Sequence, residues 1–288
     1  MEKKDQQTAP ASASQGALLH YKTVLSIAGS DSIGGAGIQA DIKTCDALGA
    51  YAMTAITAVT AQNTCGVMDY EAVTPTLLRK QLDAVIADVH PDAVKIGMVP
   101  TVEHVRVIAD WIKENKIGKV VLDPVCVATS GDALAADSVP AALRDLLMPL
   151  ATVVTPNVPE AEVLAAVKIT RANMDDSMMA LLRQTHAGAI VLKGGHMSGD
   201  KSEDFIYQYG SDQIGAVASG RIDTVNTHGT GCTFSTAIAV YLAAGLDVTH
   251  AVQHAKAYIS HAIAYGAQFE LGHGHGPVCH NYAKFLDK

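Results

Sequence analysis

Thr23-Val-Leu-Ser-Ile-Ala28 runs directly into Gly29-Ser-Asp-Ser-Ile-Gly-Gly-Ala-Gly-Ile-Gln-Ala-Asp41, and the junction of these two stretches decides the fold class. The first is a short, almost uninterrupted apolar run of the kind that forms a strand buried on both faces. The second is a glycine-rich turn that opens a helix. A strand, a tight turn and a helix in that order begin a strand–helix–strand unit, whose right-handed crossover builds a mainly parallel sheet covered by helices.

The pattern repeats outward from there. Strands are expected at Thr54–Ala61, Ala93–Ile96, Lys119–Leu122, Thr152–Thr155 and Ala189–Lys193. Amphipathic segments lie between them. Thr76–Val89 carries Leu77, Leu78, Leu82, Val85 and Ile86 at helical spacing, and Thr101–Lys116 and Pro140–Leu147 read similarly. After Lys193 two short strands are expected, Phe205–Tyr209 and Gln213–Ala218, around a turn of Gly210, Ser211 and Asp212. Helices close the chain at Cys232–Ala244 and Val248–Gln268. With no repeat or break in composition, residues 21–288 read as one domain behind a flexible tail over residues 1–20. In such sheets ligands sit beyond the carboxyl ends of the strands. That rule directs attention to Gly29–Asp31, Gln62–Asn63, Gly97–Met98, Asp123–Pro124, Pro156–Asn157 and Gly194–Gly195.

Of the 288 residues 49% are apolar and 17% charged, enough to bury a large core without disulfides or metals. A net charge of −8 gives no electrostatic footprint for nucleic acid. A phosphate ligand therefore needs local donors: backbone amides, a lysine or Mg²⁺. The cysteines at 45, 65, 126, 232 and 279 are scattered and form no C-x-x-C pair. That suggests neither a zinc knuckle nor a disulfide framework, and fits a reducing cytoplasm. The first 20 residues lack a secretory apolar stretch, and no apolar run approaches the roughly 18 residues of a membrane span, so a soluble protein is expected.

Chemistry is carried by a few short segments. Gly35-x-Gly37-x-x-Ala40 meets the loose dinucleotide fingerprint, but Gln62 and Asn63 stand where its acidic residue belongs, about 20 positions on. The turn reads better as a loop admitting a small ligand close to the backbone, with Asp41 available as an acceptor. In Asn226-Thr-His-Gly-Thr-Gly-Cys232, Gly229 and Gly231 expose successive amides where a helix begins, which makes an anion site. Cys232 lies in the first turn, where the positive helix end lowers a thiol pKa. Asn157-Val-Pro-Glu160 puts Glu160 near another helix start, to complement its dipole or to hold Mg²⁺ through water. Lys193, ending a strand before two glycines, is placed to reach a nucleotide phosphate. The histidines of Gly272-His-Gly-His-Gly276 lack a defined ligand set and read as a closing loop.

Together the blocks IAGSDSIGGAGIQADIKT (27–44), TAVTAQNT (57–64), KIGM (95–98), VLDPV (121–125), TPNVPEA (155–161), LKGGH (192–196) and NTHGTGC (226–232) resemble the hydroxymethylpyrimidine/phosphomethylpyrimidine kinases of the ribokinase-like superfamily. The likeness runs from about Leu25 to about His280. It implies a ribokinase-like three-layer α/β fold with a mainly parallel central sheet. It implies a pyrimidine pocket lined by Gly29, Asp41, Gln62 and Met98, with Val125 close by, and a MgATP side formed by Asp123, Asn157, Glu160 and Lys193. Gly229, Thr230, Gly231 and Cys232 would form the anion hole over the transferring phosphoryl group. The activity implied is phosphorylation of the pyrimidine's hydroxymethyl group with ATP and Mg²⁺, then of the monophosphate, in thiamine biosynthesis, by a homodimer. The wider superfamily usually has Asp where this chain has Cys232, which leaves Cys232 either to take the hydroxyl proton or merely to close the hole. Two alternatives stand beside this reading: a vitamin B6 kinase, which shares the fold and the first glycine loop, and a non-catalytic ligand-binding module. Gln62 favours the pyrimidine, because an amide offers both a donor and an acceptor to an aminopyrimidine edge.

Overall fold

The computed structural model describes residues 19–125, 136, 138–195 and 200–286. The tail expected over residues 1–20 falls almost wholly outside them, as do Cys126 and His196. The deciding stretch forms β1 (Thr23–Ser30) and, after the glycine turn, α1 (Gly37–Ala47). Then come β2 (Tyr51–Asn63), β3 (Gly66–Ala72), α2 (Pro75–Ile86), β4 (Ala93–Ile96), α3 (Val102–Glu114) and β5 (Val120–Leu122). The helix α4 (Val139–Ala142) continues into a π-helical turn, Leu143–Leu147. After it follow β6 (Val153–Val154), α5 (Val158–Ala165), α6 (Met174–Thr185), β7 (Ala189–Leu192), β8 (Lys201–Gln208), β9 (Ile214–Gly220), α7 (Thr230–Ala243) and α8 (Val248–Gly266).

The strands form one nine-stranded sheet in the order β3-β2-β1-β4-β5-β6-β7-β8-β9. From β2 to β7 every pairing is parallel. At one edge β3 pairs antiparallel with β2, and at the other the β7–β8 and β8–β9 pairings are antiparallel. The chain moves outward from β1 through β2 to β3, then returns to place β4 on the other side of β1. The strand order therefore reverses between β1 and β4, which is where sheets of this kind place a ligand crevice, at the strands' carboxyl ends.

Side-chain alternation divides the core. Leu25, Ile27, Val94, Ile96, Val120 and Leu122 face one helical layer, which includes Leu78, Leu82, Val105, Ile108 and Trp111. Val24, Ala93, Val121, Val153 and Val191 face the other, built from α1, α7 and α8. The same alternation turns Ser26 and Lys95 towards α7, where they are 1% and 0% exposed. Helix starts follow their capping chemistry. Thr74 accepts from the Leu77 amide ahead of Pro75, and Asp247 from the His250 amide at 2.9 Å.

Two elements went unread in the sequence. β3 is a sheet edge with Met68, Asp69 and Glu71 all exposed, and its inward residues Val67 and Tyr70 are three apart, so no two-residue alternation announces it. α6 buries Met174, Met178, Leu181 and Leu182, but Asp175, Asp176 and Arg183 dilute its stripe.

Candidate active site

The residues singled out at strand ends converge on this crevice through glycines. Gly29 ends β1 against Met98, where an added Cβ would lie 2.8 Å from the sulfur. Met98 is buried with Ala58, and Val67, Tyr70 and Val125 pack against the pair. Gln62, near the end of β2, is half-buried. Its Oε1 accepts from Thr60 Oγ1 at 3.2 Å, and its backbone N–H donates to Ser32 Oγ at 2.8 Å. An apolar patch with one adaptable amide at its rim suits a flat, polar-edged ring.

The anion-hole segment sits against the first glycine turn. Gly229 has φ 79°, a left-handed conformation suited to glycine, and its Cβ would run into the Gly35 carbonyl. The amide of Thr230 bonds to Thr227 O at 3.2 Å, and that of Thr233 closes the first helical bond to Gly229 O at 2.9 Å. Between them the amides of Gly231 and Cys232 open α7, where helix geometry leaves N–H groups without intrahelical acceptors.

Beneath Gly231 lies a charged cluster. A Cβ there would come 3.4 Å from Lys193 Nζ and 3.5 Å from Asp123 Oδ2. Lys193 donates to Asp123 Oδ1 at 2.9 Å and lies 3.7 Å from Glu160 Oε2. Thr155 and Ser235 hydroxyls complete the Asp123 shell at 3.0 and 3.2 Å. Burial works against the Asp123 charge, but Lys193 and then Lys95 hold its pKa below the usual carboxylate range. Glu160 goes the other way. Burial pushes its pKa up, Lys193 opposing and the Asp123 charge adding to the rise. Burial also works against the Lys193 charge, yet Asp123 and Glu160 keep it firmly protonated. Asn157 and Glu160 form a reciprocal capping box on α5: the Glu160 amide donates to Asn157 Oδ1 at 2.8 Å, and the Asn157 amide to Glu160 Oε2 at 2.7 Å. Asp123 and Glu160 are an all-oxygen donor pair of the kind Mg²⁺ accepts alongside water and phosphate. At the other candidate metal position, the His273 and Gly274 amides donate to Thr64 Oγ1 and His275 Nδ1 lies 3.0 Å from Val225 O. Among the described residues no group of three His, Cys, Asp or Glu gathers to hold a metal.

Asp41 departs from its expected place as a pocket acceptor. It is wholly buried, with Ser26 Oγ (2.5 Å) and Lys95 Nζ (2.8 Å) on one oxygen and Lys95 Nζ (2.9 Å) and Thr236 Oγ1 (2.6 Å) on the other. Those bonds fill the roughly four acceptor sites of a carboxylate. The reading of Cys232 as an acidified thiol is also corrected: burial pushes its pKa up to about 11, against the opposing Lys95 charge and the Gly37 amide.

Three residues to which sequence reasoning gave no role organise the site. Lys95 lies inside the KIGM block, but its partner Asp41 is 54 residues away, and the Thr236 hydroxyl that bonds the same carboxylate is further still. Asp31 and His228 bond to each other at 2.8 Å across 197 residues. Asp31 was reached in sequence only as the last residue of the strand-end stretch Gly29–Asp31, and His228 only as a member of a quoted block.

The chain matches the phosphomethylpyrimidine kinase family across residues 31–279. It is 49% identical over 266 residues to the hydroxymethylpyrimidine/phosphomethylpyrimidine kinase of Rhizobium meliloti, covering 91% of this chain and 98% of the relative. Among solved structures, the Clostridium difficile phosphomethylpyrimidine kinase superposes with a TM-score of 0.73 at 39% identity, over 84% of this chain and 99% of that one. An ADP complex of Bacillus subtilis pyridoxal kinase superposes with a TM-score of 0.82 at 36% identity, over 93% of this chain and 100% of the other. With its strand-end glycines, its amides at the start of α7 and its Lys193–Asp123 cluster in one crevice, the chain belongs to the phosphomethylpyrimidine kinase family, phosphotransferases of the ribokinase-like fold.

Proposed function

We propose that this enzyme transfers the γ-phosphoryl group of ATP to the hydroxymethyl oxygen of 4-amino-5-hydroxymethyl-2-methylpyrimidine, and a second phosphoryl group to the monophosphate, in thiamine biosynthesis. The observation that carries the reading is the path from the Met98 patch through Gly29 and Gly37 to Cys232, with Gly231 lying over Asp123 and Lys193. One end suits an aromatic ring and the other a phosphate chain.

In this reading Gly29, Gln62, Met98 and Val125 hold the ring, and Asp41 supports the pocket from beneath. Lys193 meets the nucleotide phosphates, with Asn157 fixing Glu160 beside them. Asp123 and Glu160 would hold Mg²⁺ through water; when bound, the ion neutralises charge on the phosphate oxygens. The hydroxymethyl oxygen attacks the γ-phosphorus in line, a new P–O bond forms, and the bond to ADP breaks. The amides of residues 229–232 stabilise charge on the equatorial oxygens. A thiol with its pKa near 11 is protonated at neutral pH. Cys232 therefore closes the hole, and the hydroxyl proton leaves late, onto a phosphoryl oxygen, as a loose transition state allows. A cytoplasmic homodimer belongs to the same proposal.

Phosphorylation of pyridoxal or pyridoxine is the second reading, favoured by the superposition on pyridoxal kinase. ADP formation measured with hydroxymethylpyrimidine, its monophosphate and pyridoxine side by side decides between them. We expect the two pyrimidines to have the higher kcat/KM, and a preference for pyridoxine overturns the first reading. Gln62→Leu should cost about 1–3 kcal/mol of pyrimidine binding, raising that KM far more than the KM for ATP. Equal rises would remove Gln62 from the pocket.

A further inference from the structure

The glycine turn at 31–36 and the hole at 229–232 come from opposite ends of the chain, yet they pack backbone to backbone. A Cβ on Gly35 would run into the His228 imidazole, and one on Gly229 into the Gly35 carbonyl. One side-chain pair joins the two segments: His228 Nε2 donates to Asp31 Oδ2 at 2.8 Å, with the side chains 7% and 3% exposed.

Asp31 shapes its own turn. Its Oδ1 accepts the Ile33 amide at 3.0 Å, and its Oδ2 the Gly35 and Ala36 amides at 2.9 and 2.8 Å. Its own amide donates to Gln39 Oε1 at 2.8 Å, anchoring the turn to α1. Burial works against its charge, but the His228 bond and the turn amides hold its pKa below the usual carboxylate range. An ionised Asp31 only accepts, so Nε2 carries the hydrogen. On the other side, the His228 amide donates to Gly276 O at 3.1 Å, and the next residue, Gly229, is the N-cap of α7. The imidazole therefore spans from the carboxylate that sets one loop to the residue that starts the other.

We propose that His228 is a positioning residue: its bond to Asp31 sets the register of the 31–36 turn, on the alcohol side, against the 229–232 hole, on the phosphoryl side. This rests on the assignment of those two sides in the proposed function. Alignment of two reacting groups is steep in distance, and a shift of roughly 1 Å costs on the order of 10²-fold in rate. A bond that fixes the relative place of the two loops thus acts on turnover without touching either substrate.

The test uses the full chain and the variants His228→Leu and His228→Gln. Leucine removes the donor; the glutamine amide nitrogen takes nearly the place of Nε2. In His228→Leu we expect kcat with hydroxymethylpyrimidine to fall about 10²-fold while the KM for ATP stays within about threefold. His228→Gln should recover most of the rate. Backbone amide exchange, followed without any substrate, should speed up at Ile33, Gly35 and Ala36 together with residues 230–232 in the leucine variant and stay slow in the glutamine one. Three results overturn the proposal: an unchanged kcat in the leucine variant, a glutamine variant no better than leucine, or faster exchange confined to one loop. A wild type inactive on the pyrimidine fails the substrate assignment alone, and the exchange pattern still decides whether His228 couples the loops.

Discussion

Lys95 and Lys193 lie at or just beyond the ends of two parallel strands, each bound to an aspartate from elsewhere in the chain, and they have opposite uses. The Lys95–Asp41 pair is sealed, both side chains 0% exposed and the carboxylate filled by Ser26 and Thr236. Lys193 remains 17% exposed at the crevice, shared between Asp123 and Glu160 beneath Gly231. Two like centres differ in what they leave open. A buried pair whose carboxylate has its acceptor sites filled holds α1, β4 and α7 together. A lysine shared between two carboxylates, with an open side, keeps capacity for an incoming phosphate. Burial and bond count, more than residue type, separate the support from the site.

The largest effect expected from this difference is on stability. Lys95→Met strands the Asp41 charge in the interior, and removing one partner of a buried pair costs about 3–5 kcal/mol. Urea unfolding should show a clearly lowered midpoint, and the double variant Lys95→Met/Asp41→Leu should regain much of it, since no charge is then left unpaired. A Lys95→Met midpoint equal to wild type would end the distinction between the centres. Lys193→Met should do the reverse. Asp123 is itself 0% exposed, but it keeps the Thr155 and Ser235 hydroxyls and the nearby Lys95 charge, so the loss of stability is smaller. Turnover should fall by about 10²–10³-fold, the range seen when a donor to developing charge is removed. Steady-state kinetics at saturating pyrimidine measures it, and a variant that loses stability but keeps its kcat would make Lys193 a structural lysine too.

Much of the architecture was legible because it depends on local pattern. The run at Val24–Ala28 declares a strand buried on both faces, and the glycines after it declare a turn. The same holds at Ala93–Ile96, where the expected bounds and the structure coincide. The two centres show where legibility stops. Lys193 stood out because it precedes two glycines at a strand end. Lys95 sits in Ala-Val-Lys-Ile, where nothing local distinguishes a sealed lysine from one at a rim. Its role depends on Asp41 and Thr236, brought to it only by folding. Asp41 was read in the reverse sense for the same reason: the sequence shows an acid after a glycine turn, but not the three donors that fill it. The Cys232 environment likewise combines a helix end, visible in sequence, with the desolvation of a half-buried thiol, which is not, and desolvation raises the pKa.

Glu160 tests the open centre more gently. Its carboxylate resists ionisation through burial and the Asp123 charge, a strain that a bound cation relieves. Glu160→Gln preserves the capping box, which accepts either residue, so α5 should keep its stability. The Mg²⁺ concentration for half-maximal rate should rise about tenfold, equivalent to roughly 1.4 kcal/mol. If that titration does not move, Glu160 serves α5 alone, and the open centre reduces to Asp123 and Lys193.

Cys232 lies between the two centres, with both Lys95 and Asp123 within electrostatic reach, and here the smallest effect is expected. Burial sets its pKa near 11, and the Lys95 charge keeps it from rising further. A thiol with a raised pKa stays protonated from pH 6 to 9, so kcat/KM should show no rise through a thiol titration in that range. Alkylation by iodoacetamide should accelerate only above about pH 9, later than for a free thiol near 8.5. In Lys95→Met, if folded, it should start later still, because the charge favouring the thiolate is gone. Cys232→Ser keeps the backbone amide and nearly the size, so its rate should fall less than about tenfold, short of the 10²–10⁴-fold that a positioned proton acceptor contributes. The measurement is a kcat/KM–pH profile for wild type and Cys232→Ser, with the alkylation profile beside it. An inflection below pH 8.5 that disappears in the serine variant, together with a loss near 10²-fold, would make Cys232 the base. In that case the sealed Lys95–Asp41 pair would act on the chemistry, and the division between support and site would have to be redrawn.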